Sequence, residues 1–451
     1  MDEQHMPKSP SPAAVGFALG RRSVLKSSAL LAGAAVLPGV LAACGSDSAT
    51  DTAGGSDGGG TAEAASGEVT LGSNYSNEVP QAGLQAAVDA LPNADITVKI
   101  NEVDHNTFQE NISTYLQNPD DVIPWFAGYR MRYFAAQDLL GDVSSVWPAL
   151  DAELGEGFKT ASTGDDGKQY FVPWNYYAWG VHYRKSVFAD NGWTPPTTFD
   201  ELKTLAGEME TAGITPFALG NDGFWPAMGT FDQLNFRING YQFHVDLMAG
   251  KESWEDDRVK EVFATWTDLL PMTMPDPNGR TWEEAAAALV SGEAGMMIIG
   301  NFVGQQFPPE ELSDVDFFPF PEINAEHGID VVEAPIDGWM MAKSPKNQAA
   351  ALELIGFFGT AAAQDAYLKE DPSAVAPSSK ANTGAYNELQ AKAARTVSEA
   401  KYVTQFLDRD TSPEFASNVA GPRLADFLAD PTKIDSILAD MQEQAAVILG
   451  G

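Results

Sequence analysis

The stretch Gln169-Tyr-Phe-Val-Pro-Trp-Asn-Tyr-Tyr-Ala-Trp-Gly-Val-His-Tyr183 contains seven aromatic residues in fifteen positions. A buried strand of an α/β protein is normally rich in Val, Ile and Leu, and Tyr or Trp fits there when its polar atom finds a partner. We interpret the stretch as a segment that passes between two lobes and lines a ligand-binding cleft with aromatic rings. The alternative is an aromatic core beside a turn at Pro173 and Gly180. The interpretation predicts that Trp174 and Asn175 contact the ligand.

Strands and helices alternate before this stretch. The hydrophobic pattern predicts strands at residues 68–73, 95–102 and 121–126, with helices at 81–91 and 107–116. This alternation indicates an open, largely parallel α/β sheet, whose ligands bind beyond the carboxyl ends of its strands. The loops at these ends hold the candidate ligand contacts Tyr75, Trp125, Tyr129 and Arg130. For Trp125 the alternative is a core position, and for Arg130 it is a surface ion pair.

Later strands also carry aromatic residues beside polar ones. A helix with Thr197 or Thr198 as its N-cap and Glu201 in a capping box precedes a strand at 214–219. One further strand ends in Gly-Asn-Phe, and another covers residues 336–344. The candidate ligand contacts near these strands are Trp225, Asn301, Phe302, Asp337, Gly338 and Trp339.

Composition limits the classes of partner and chemistry. The chain has 451 residues, 44% of them hydrophobic, which is enough for two domains. Its formal charge of −36 repels nucleic acid and anionic membrane surfaces. The single cysteine, Cys44, excludes a disulfide framework and a cysteine-based zinc site, and the five histidines are scattered along the sequence. We therefore predict no metal, no cofactor and no catalytic residues.

The N-terminal segment has the composition of a targeting signal. Residues 1–43 combine an Arg21-Arg22 pair with a small apolar run that is too short to span a bilayer, so we predict a cleaved signal peptide. Export by the Tat or the Sec route stays open. The sequence Leu41-Ala42-Ala43-Cys44 resembles the lipobox of bacterial lipoproteins, which implies that Cys44 carries a lipid anchor. Residues 44–67 are rich in Gly, Ser, Ala and Thr and are predicted to form a flexible tether.

Six short segments between residues 68 and 450 form a recognisable set. They are Pro119-Asp-Asp-Val-Ile123, Tyr183-Arg-Lys-Ser-Val-Phe188, Pro196-Thr-Thr-Phe-Asp-Glu-Leu202, Gly213-Ile-Thr-Pro-Phe217, Ser291-Gly-Glu-Ala-Gly-Met296 and Lys343-Ser-Pro-Lys-Asn347. Together, and in this order, they resemble the family 1 extracellular solute-binding proteins of ABC importers, the group that includes maltose- and oligosaccharide-binding lipoproteins.

The resemblance implies a two-lobed periplasmic-binding-protein type II fold, in which each lobe is a mainly parallel sheet flanked by helices. It implies an N-terminal lobe of residues 68–177 and 338–390 and a C-terminal lobe of residues 178–337 and 391–451. The chain would cross between lobes near Ala178, near 334–338 and between Tyr386 and Ala400. A ligand would bind in the cleft, a hinge would close the lobes, and the protein would act as a monomer that delivers its ligand to a membrane permease.

Carried over by position, Trp125 falls where relatives place a sugar-stacking ring. Asn301-Phe302 falls where many relatives have Gly-x-Trp, and Asp337-Gly338 falls where a Gly pair is common. A pyranose has apolar C–H faces and a rim of hydroxyl groups, so aromatic planes with polar side chains around them suit a sugar. We therefore predict a di- or oligosaccharide ligand at the outer face of the cell membrane. An exported glycoside hydrolase and a cell-surface binding lipoprotein without a transport role are the alternatives.

Overall fold

The computed structural model describes residues 65–450. The predicted signal peptide, Cys44 and nearly all of the tether lie outside the described residues. The strands are β1 (Gly67–Ser73), β2 (Ile96–Glu102), β3 (Val122–Phe126), β4 (Leu140–Gly141), β5 (Val172–Tyr176), β6 (Trp179–Arg184), β7 (Thr215–Ala218), β8 (Ala294–Gly300), β9 (Val315–Phe318), β10 (Val331–Glu333), β11 (Ile336–Ala342) and β12 (Tyr402–Thr404).

The helices flank these strands, and a 3₁₀ helix, Asn301–Gln306, directly follows β8. The α-helices are α1 (Glu78–Asp89), α2 (His105–Glu110), α3 (Ile112–Tyr115), α4 (Tyr129–Ala136), α5 (Trp147–Ala161), α6 (Lys185–Asn191), α7 (Phe199–Thr211), α8 (Trp225–Met248), α9 (Asp257–Leu269), α10 (Trp282–Ser291), α11 (Gln348–Phe358), α12 (Ala361–Glu370), α13 (Glu388–Glu399), α14 (Leu407–Asp410), α15 (Pro413–Phe415), α16 (Gly421–Ala429) and α17 (Ile434–Ile448).

The first lobe is built on a sheet with the strand order β2-β1-β3-β11-β4, in which β5 also pairs with β11. Strand β1 runs parallel to β2 and β3, whereas β11 runs antiparallel to β3, β4 and β5. The sheet is therefore mixed, where a mainly parallel one was predicted. The reason is that β11 enters this sheet from the other lobe, against the direction of the strands beside it.

The second lobe is built on a sheet with the order β7-β8-β6-β9, in which only the β7–β8 pair is parallel. Strand β8 is buried along its whole length, as expected for a central strand with helices on both faces. Helix α7 begins at the N-cap Thr198 with the predicted capping box to Glu201. A separate two-stranded parallel sheet pairs β10 with β12.

Each sheet organises its own hydrophobic core. In the first lobe, neighbouring residues of a strand point to opposite faces, so Val122 and Met341 pack on one face while Ile123 and Met340 pack on the other. The core of the second lobe surrounds β6 and β8 and continues into the C-terminal helices. The fold is thus the two-lobed α/β architecture that the sequence predicts.

The chain passes between the two lobes at more than one point. Strand β5 ends at Tyr176 in the first sheet, and β6 begins at Trp179 in the second. Strands β10 and β11 are separated only by Ala334 and Pro335. A third passage lies between α12 and α13, since Leu389 already packs in the core of the second lobe. The lobe boundaries drawn from the sequence stay predictions.

Candidate ligand-binding cleft

A cleft of about 640 Å³ lies between the lobes, a size typical of sites for small polar molecules. The first lobe contributes the loop after β1, helix α2 and single residues of β5, β11 and α12. The second lobe contributes β6, the turn that leads into α8, the start of α10 and Phe302. As expected for a sheet of this type, the loop Asn74–Asn77 follows the carboxyl end of β1.

One side of the cleft is an aromatic wall, which we define as Trp179, Trp225, Trp282, Phe302 and Phe406. Phe302 packs edge to face against Trp282, with ring centroids 5.2 Å apart and planes at 89°. Trp225 stands at 90° to Trp179, with centroids 6.2 Å apart. Edge-to-face packing of this kind fixes ring orientation. The wall therefore presents several fixed aromatic surfaces to a ligand.

The ends of secondary structure elements position these rings. Trp225 is the first residue of α8, Trp282 is the first residue of α10, and Phe302 is the second residue of a 3₁₀ helix. Each of the three side chains is half-buried. Trp179, at the start of β6, is buried behind them, where it contacts Phe406 at a centroid distance of 5.0 Å.

An arginine network, which we define as Arg130, Asp337, Asp408 and Arg409, adjoins the aromatic wall, because Tyr177 contacts both Phe302 and Arg409. Arg409 Nη1 donates to Asp337 Oδ1 at 2.8 Å, and its Nη2 donates to the Tyr177 hydroxyl at 2.9 Å. Arg130 Nη1 donates to Asp408 Oδ2 at 2.7 Å. Both guanidinium groups are buried, so each depends on its carboxylate partner to offset the loss of hydration.

Helix α14, which carries Asp408 and Arg409, connects this network to both lobes. Its first backbone N–H, that of Leu407, donates to Asp232 Oδ2 of α8 at 2.7 Å. Asp408 reaches Arg130 on α4 in the first lobe. The network therefore lies where the relative position of the lobes determines its geometry.

His105 lies beside this network at the first-lobe side of the cleft. Its two ring nitrogens lie 3.3 Å from Asn74 Nδ2 and 2.7 Å from Gln109 Nε2. Desolvation, together with the positive charge of Arg409, lowers the pKa of His105 to about 4. Desolvation also raises the pKa of Asp337, an effect that Arg409 opposes. At neutral pH His105 is therefore an uncharged hydrogen-bonding group.

A second polar cluster lies around Asp371 at the end of α12. Its Oδ2 accepts hydrogen bonds from the Tyr367 hydroxyl at 2.8 Å and from Gln305 Nε2 at 2.9 Å. Nearby, Asn175 Nδ2 donates to the Tyr75 hydroxyl at 3.4 Å. These groups supply both donors and acceptors, which is the combination that a ring of hydroxyl groups requires.

Five of the predicted ligand contacts line the cleft, namely Tyr75, Asn175, Trp225, Phe302 and Asp337. The other seven lie outside the lining, namely Trp125, Tyr129, Arg130, Trp174, Asn301, Gly338 and Trp339.

Trp174 and Trp339 are core residues of the first lobe, each 1% exposed. Their rings pack edge to face with centroids 5.8 Å apart. Trp174 contacts Tyr367, and Trp339 contacts Tyr75, both of which do line the cleft. These two indoles therefore support the cleft from behind, a position that does not favour the direct stacking predicted for them.

The predicted ligand contacts near β3, which are Trp125, Tyr129 and Arg130, do not line the cleft. Trp125 is buried beneath Arg130, whose guanidinium lies 4.7 Å from its ring centroid. Arg130 is thus a buried network residue, neither a surface ion pair nor part of the cleft lining. Tyr129 is 39% exposed at the first residue of α4. The Trp125 ring, which was predicted to stack on a sugar, instead makes a cation–π contact with the Arg130 guanidinium.

Two more predicted contacts have structural roles. At Gly338 a Cβ would collide with the carbonyl oxygen of Val172 on the neighbouring strand, where the β5–β11 pairing is irregular. Asn301 is fully buried behind the aromatic wall, and its backbone N–H donates to Ala178 at 3.1 Å. Both residues shape the strands that end at the cleft.

Several residues that the structure brings to the cleft are not among those predicted from the sequence. They are Trp179, Trp282, Tyr367, Asp371, Phe406, Asp408 and Arg409. Trp179 lies within the aromatic stretch, and Trp282 follows Thr281, the N-cap of the capping box that begins α10. The local sequence could therefore have indicated both residues. Arg409 pairs with Asp337, 72 positions away, and a pairing of that kind leaves no local pattern.

Within residues 65–450, no group of three or more His, Cys, Asp or Glu side chains is arranged to hold a metal ion. Over the same residues, no helix combines the length and the apolar character needed to cross a membrane.

A cleft between two lobes that is lined by aromatic rings and by polar groups is typical of a receptor for a small ligand. The model of the bacterial extracellular solute-binding protein family matches residues 75–365, and the chain belongs to this family. The resemblance inferred from the sequence motifs is therefore confirmed. Members of the family are extracellular binding proteins, which assigns the chain to the outside of the cytoplasm.

Relatives of this chain include transport receptors. An uncharacterized ABC transporter extracellular-binding protein of Pyrococcus horikoshii is 26% identical over 329 residues, covering 72% of this chain and 71% of the relative. The diacetylchitobiose binding protein NgcE of Streptomyces coelicolor is 27% identical over 264 residues, covering 53% of this chain and 54% of the relative.

Among solved structures, the bacterial solute receptor AcbH is 40% identical, with a TM-score of 0.83. The match covers 85% of this chain and 99% of AcbH, which is described as having an exclusive preference for β-D-galactopyranose. A chitin oligosaccharide binding protein has the same fold, with a TM-score of 0.76 at 19% identity, over 86% of this chain and 100% of that protein.

Proposed function

We propose that this protein captures a carbohydrate in its cleft and delivers it to the membrane permease of an ABC importer. The observation that carries the proposal is the presence of an aromatic wall and of polar groups in the lining of one cleft. A pyranose can place a C–H face on the wall while its hydroxyl groups exchange hydrogen bonds with the polar groups of the lining. Family membership and the sugar-binding relatives support the same function.

The size of the ligand is a separate part of the proposal. The sequence predicts a di- or oligosaccharide. AcbH, at 40% identity, prefers β-D-galactopyranose, so we propose a galactopyranose, free or at the end of a short saccharide, as the first ligand to test. A cleft of about 640 Å³ has room for a short saccharide together with ordered water.

Ligand contacts from both sides would favour the closed arrangement of the lobes. Asp337 and Tyr75 on one side and Trp225 and Phe302 on the other lie within the same cleft. A ligand shifts a two-state equilibrium only by its difference in affinity for the two states, and a change from 1:99 to 99:1 needs about 10⁴-fold. Simultaneous contact with both walls supplies such a difference.

The remaining parts of the proposal concern the cellular context. We propose export through the signal peptide of residues 1–43, lipid attachment at Cys44 and a tether of residues 44–67 that holds a monomeric receptor at the outer face of the membrane. The support is the lipobox-like sequence Leu41-Ala42-Ala43-Cys44. Mass spectrometry of the membrane fraction tests this directly, since a Cys44→Ser variant should lose the acyl modification and leave that fraction.

Calorimetry and thermal shift test the carbohydrate proposal. Residues 45–451 would be titrated with D-galactose, D-glucose, galactobiose and chitobiose, and reducing ends would be assayed over several hours. Binding of a sugar that stays intact is the expected result. At 100 times the Kd, a ligand stabilises the folded state by about 2.7 kcal/mol. New reducing ends would favour a glycoside hydrolase, and no response to any sugar would favour a surface module without a sugar ligand.

A further inference from the structure

Two contacts join the lobes at the edge of the cleft, Asn77–Glu283 and Asn106–Gly223, and we call them the rim contacts. Asn77 Nδ2, just before α1, donates to Glu283 Oε1 of α10 at 3.3 Å. The Asn106 side-chain amide of α2 lies directly against Gly223, in the turn before α8. A Cβ placed on Gly223 would lie 2.7 Å from Asn106 Nδ2 and 2.8 Å from Oδ1. All four residues also line the cleft.

The turn that contains Gly223 has a fixed shape. Gly223 has φ +84° and the following Phe224 has φ +68°, so two successive residues adopt left-handed conformations. Asn221 holds this turn, because its carbonyl accepts from Phe224 N at 3.0 Å and its side-chain Oδ1 accepts from Ala227 N at 3.0 Å. A turn tied in this way cannot move aside easily for a larger neighbour.

The other side of this contact is also anchored. Asp104 caps α2 by accepting a hydrogen bond from Thr107 N at 3.0 Å. The next residue, His105, lies between Asn74 and Gln109 as described above. Asn106 is thus held between a capped helix start and the polar side of the cleft. The lobes can therefore approach closely at this edge because glycine at position 223 has no side chain.

We propose that the rim contacts determine the length of the saccharide that this receptor accepts. The inference rests on the proposed sugar-binding function. A saccharide that fits inside the cleft leaves the Asn77–Glu283 and Asn106–Gly223 contacts intact. A longer chain that leaves the cleft at this edge must separate these residues and prevent full closure. Asn106 and Gly223 are then specificity-determining residues that act through the position of the lobes.

Binding of ligands of increasing length tests this proposal in the whole mature chain. The probes are D-galactose, β-1,4-galactobiose and β-1,4-galactotetraose, with affinities from calorimetry and dissociation rates from stopped-flow fluorescence. For the wild type we expect the tetramer to bind at least about tenfold more weakly than the best shorter probe. The Asn106→Ala variant lacks the Asn106–Gly223 contact, so the difference in affinity between the tetramer and the best shorter probe should fall to about threefold or less.

The Gly223→Ala variant tests closure from the other side. Its Cβ meets Asn106, so we expect galactose affinity to fall about tenfold, mainly through faster dissociation. The double variant Gly223→Ala/Asn106→Ala should recover most of this loss. Gly213→Ala is the matched control, because Gly213 also has a positive φ of +77° but has nothing within 4 Å of a Cβ. Its galactose affinity should stay at the wild-type value.

The possible failures of the two proposals are distinguishable. Wild-type protein that binds none of the probes would overturn the galactopyranose assignment, and the length inference with it. Wild-type protein that binds the probes with equal affinity, or a length ratio that Asn106→Ala leaves unchanged, would overturn the length inference alone. Loss of affinity in Gly223→Ala that the double variant does not recover would assign the effect to turn strain and equally contradict the proposal.

Discussion

The two walls of the cleft differ in how they are held together. The arginine network is a set of mostly buried charges that form ion pairs with one another, and they come from α4, β11 and α14. The aromatic wall is a set of rings carried mainly at the ends of single elements. A change in the network therefore affects folding and binding together, whereas a change in the wall can affect binding alone.

This difference assigns different chemical tasks to the walls. Hydrogen bonds from fixed polar groups are directional and distinguish one arrangement of hydroxyl groups from another. Contact with an aromatic face is less directional and contributes affinity for many apolar C–H surfaces. We expect the polar side to decide which sugar binds and the aromatic wall to decide how tightly it is held.

The largest effect is expected from Arg409→Ala. The substitution leaves the half-buried Asp337 without its guanidinium partner, and breaking such a pair costs up to about 3–5 kcal/mol, the range for fully buried pairs. Urea denaturation would measure the loss in the free energy of unfolding. Arg423→Ala is the control, since Arg423 makes partly exposed ion pairs with Asp426 and Asp440 and should cost about 0–1 kcal/mol. Equal losses in the two variants would contradict the distinction between network and surface.

Trp174→Ala should have an effect of similar size, although Trp174 never reaches the cleft. Its ring packs against Trp339, Phe358 and Tyr367, and truncation of a buried Trp costs about 3–5 kcal/mol. The same denaturation experiment measures it. If the folded variant kept wild-type stability but lost sugar affinity, Trp174 would be a ligand contact, as the sequence suggested.

The pH dependence of the free energy of unfolding tests the burial of His182 in the second lobe. His182 on β6 is fully buried against Phe317, and burial lowers its pKa from 6.5 to about 4. On acidification the unfolded chain takes up this proton first, so stability is lost as the pH falls from about 6.5 to about 4, by up to about 3 kcal/mol.

The comparison variant for this pH experiment is His182→Phe. Denaturation curves at pH 7 and pH 4.5 should show a smaller pH-dependent loss for the variant than for the wild type. An equal loss of stability between pH 7 and pH 4.5 in both proteins would mean that His182 does not cause the pH dependence.

The smallest effect, and the most selective, is expected for Trp225→Ala. The half-buried ring lines the cleft, so its removal should weaken sugar binding by about 1–3 kcal/mol, on the scale known for stacking on aromatic rings. Calorimetry measures the affinity, and denaturation should show a smaller loss of stability than in Trp174→Ala. Unchanged affinity would remove Trp225 from the set of ligand contacts.

The sequence predicted the architecture well because the relevant signals are local. Helix periodicity, the capping box at Thr198 and the alternation of strands and helices at the start of the first lobe need only neighbouring residues. The location of individual rings was harder to predict. Side chains alternate along a strand, so Asn175 lines the cleft while its neighbour Trp174 enters the core. An error of one residue in register exchanges the two roles.

The polar side of the cleft could not be predicted for a different reason. Arg130 and Asp408 are 278 positions apart and meet only in the folded chain. Asp408 and Arg409 lie in a four-residue helix and pair with residues of other segments, so no local pattern marks them as part of the cleft. Buried ion pairs between distant segments become visible only once the topology is known.

The placement of Trp225, Trp282 and Phe302 at the starts of their helices has an evolutionary consequence. Each is only half-buried, so a substitution there alters the ligand surface without removing a fully buried core side chain. After gene duplication, one copy can explore new nutrients through mutations in this wall while the fold stays above its stability threshold. The arginine network offers no such freedom, so diversification should begin on the aromatic side.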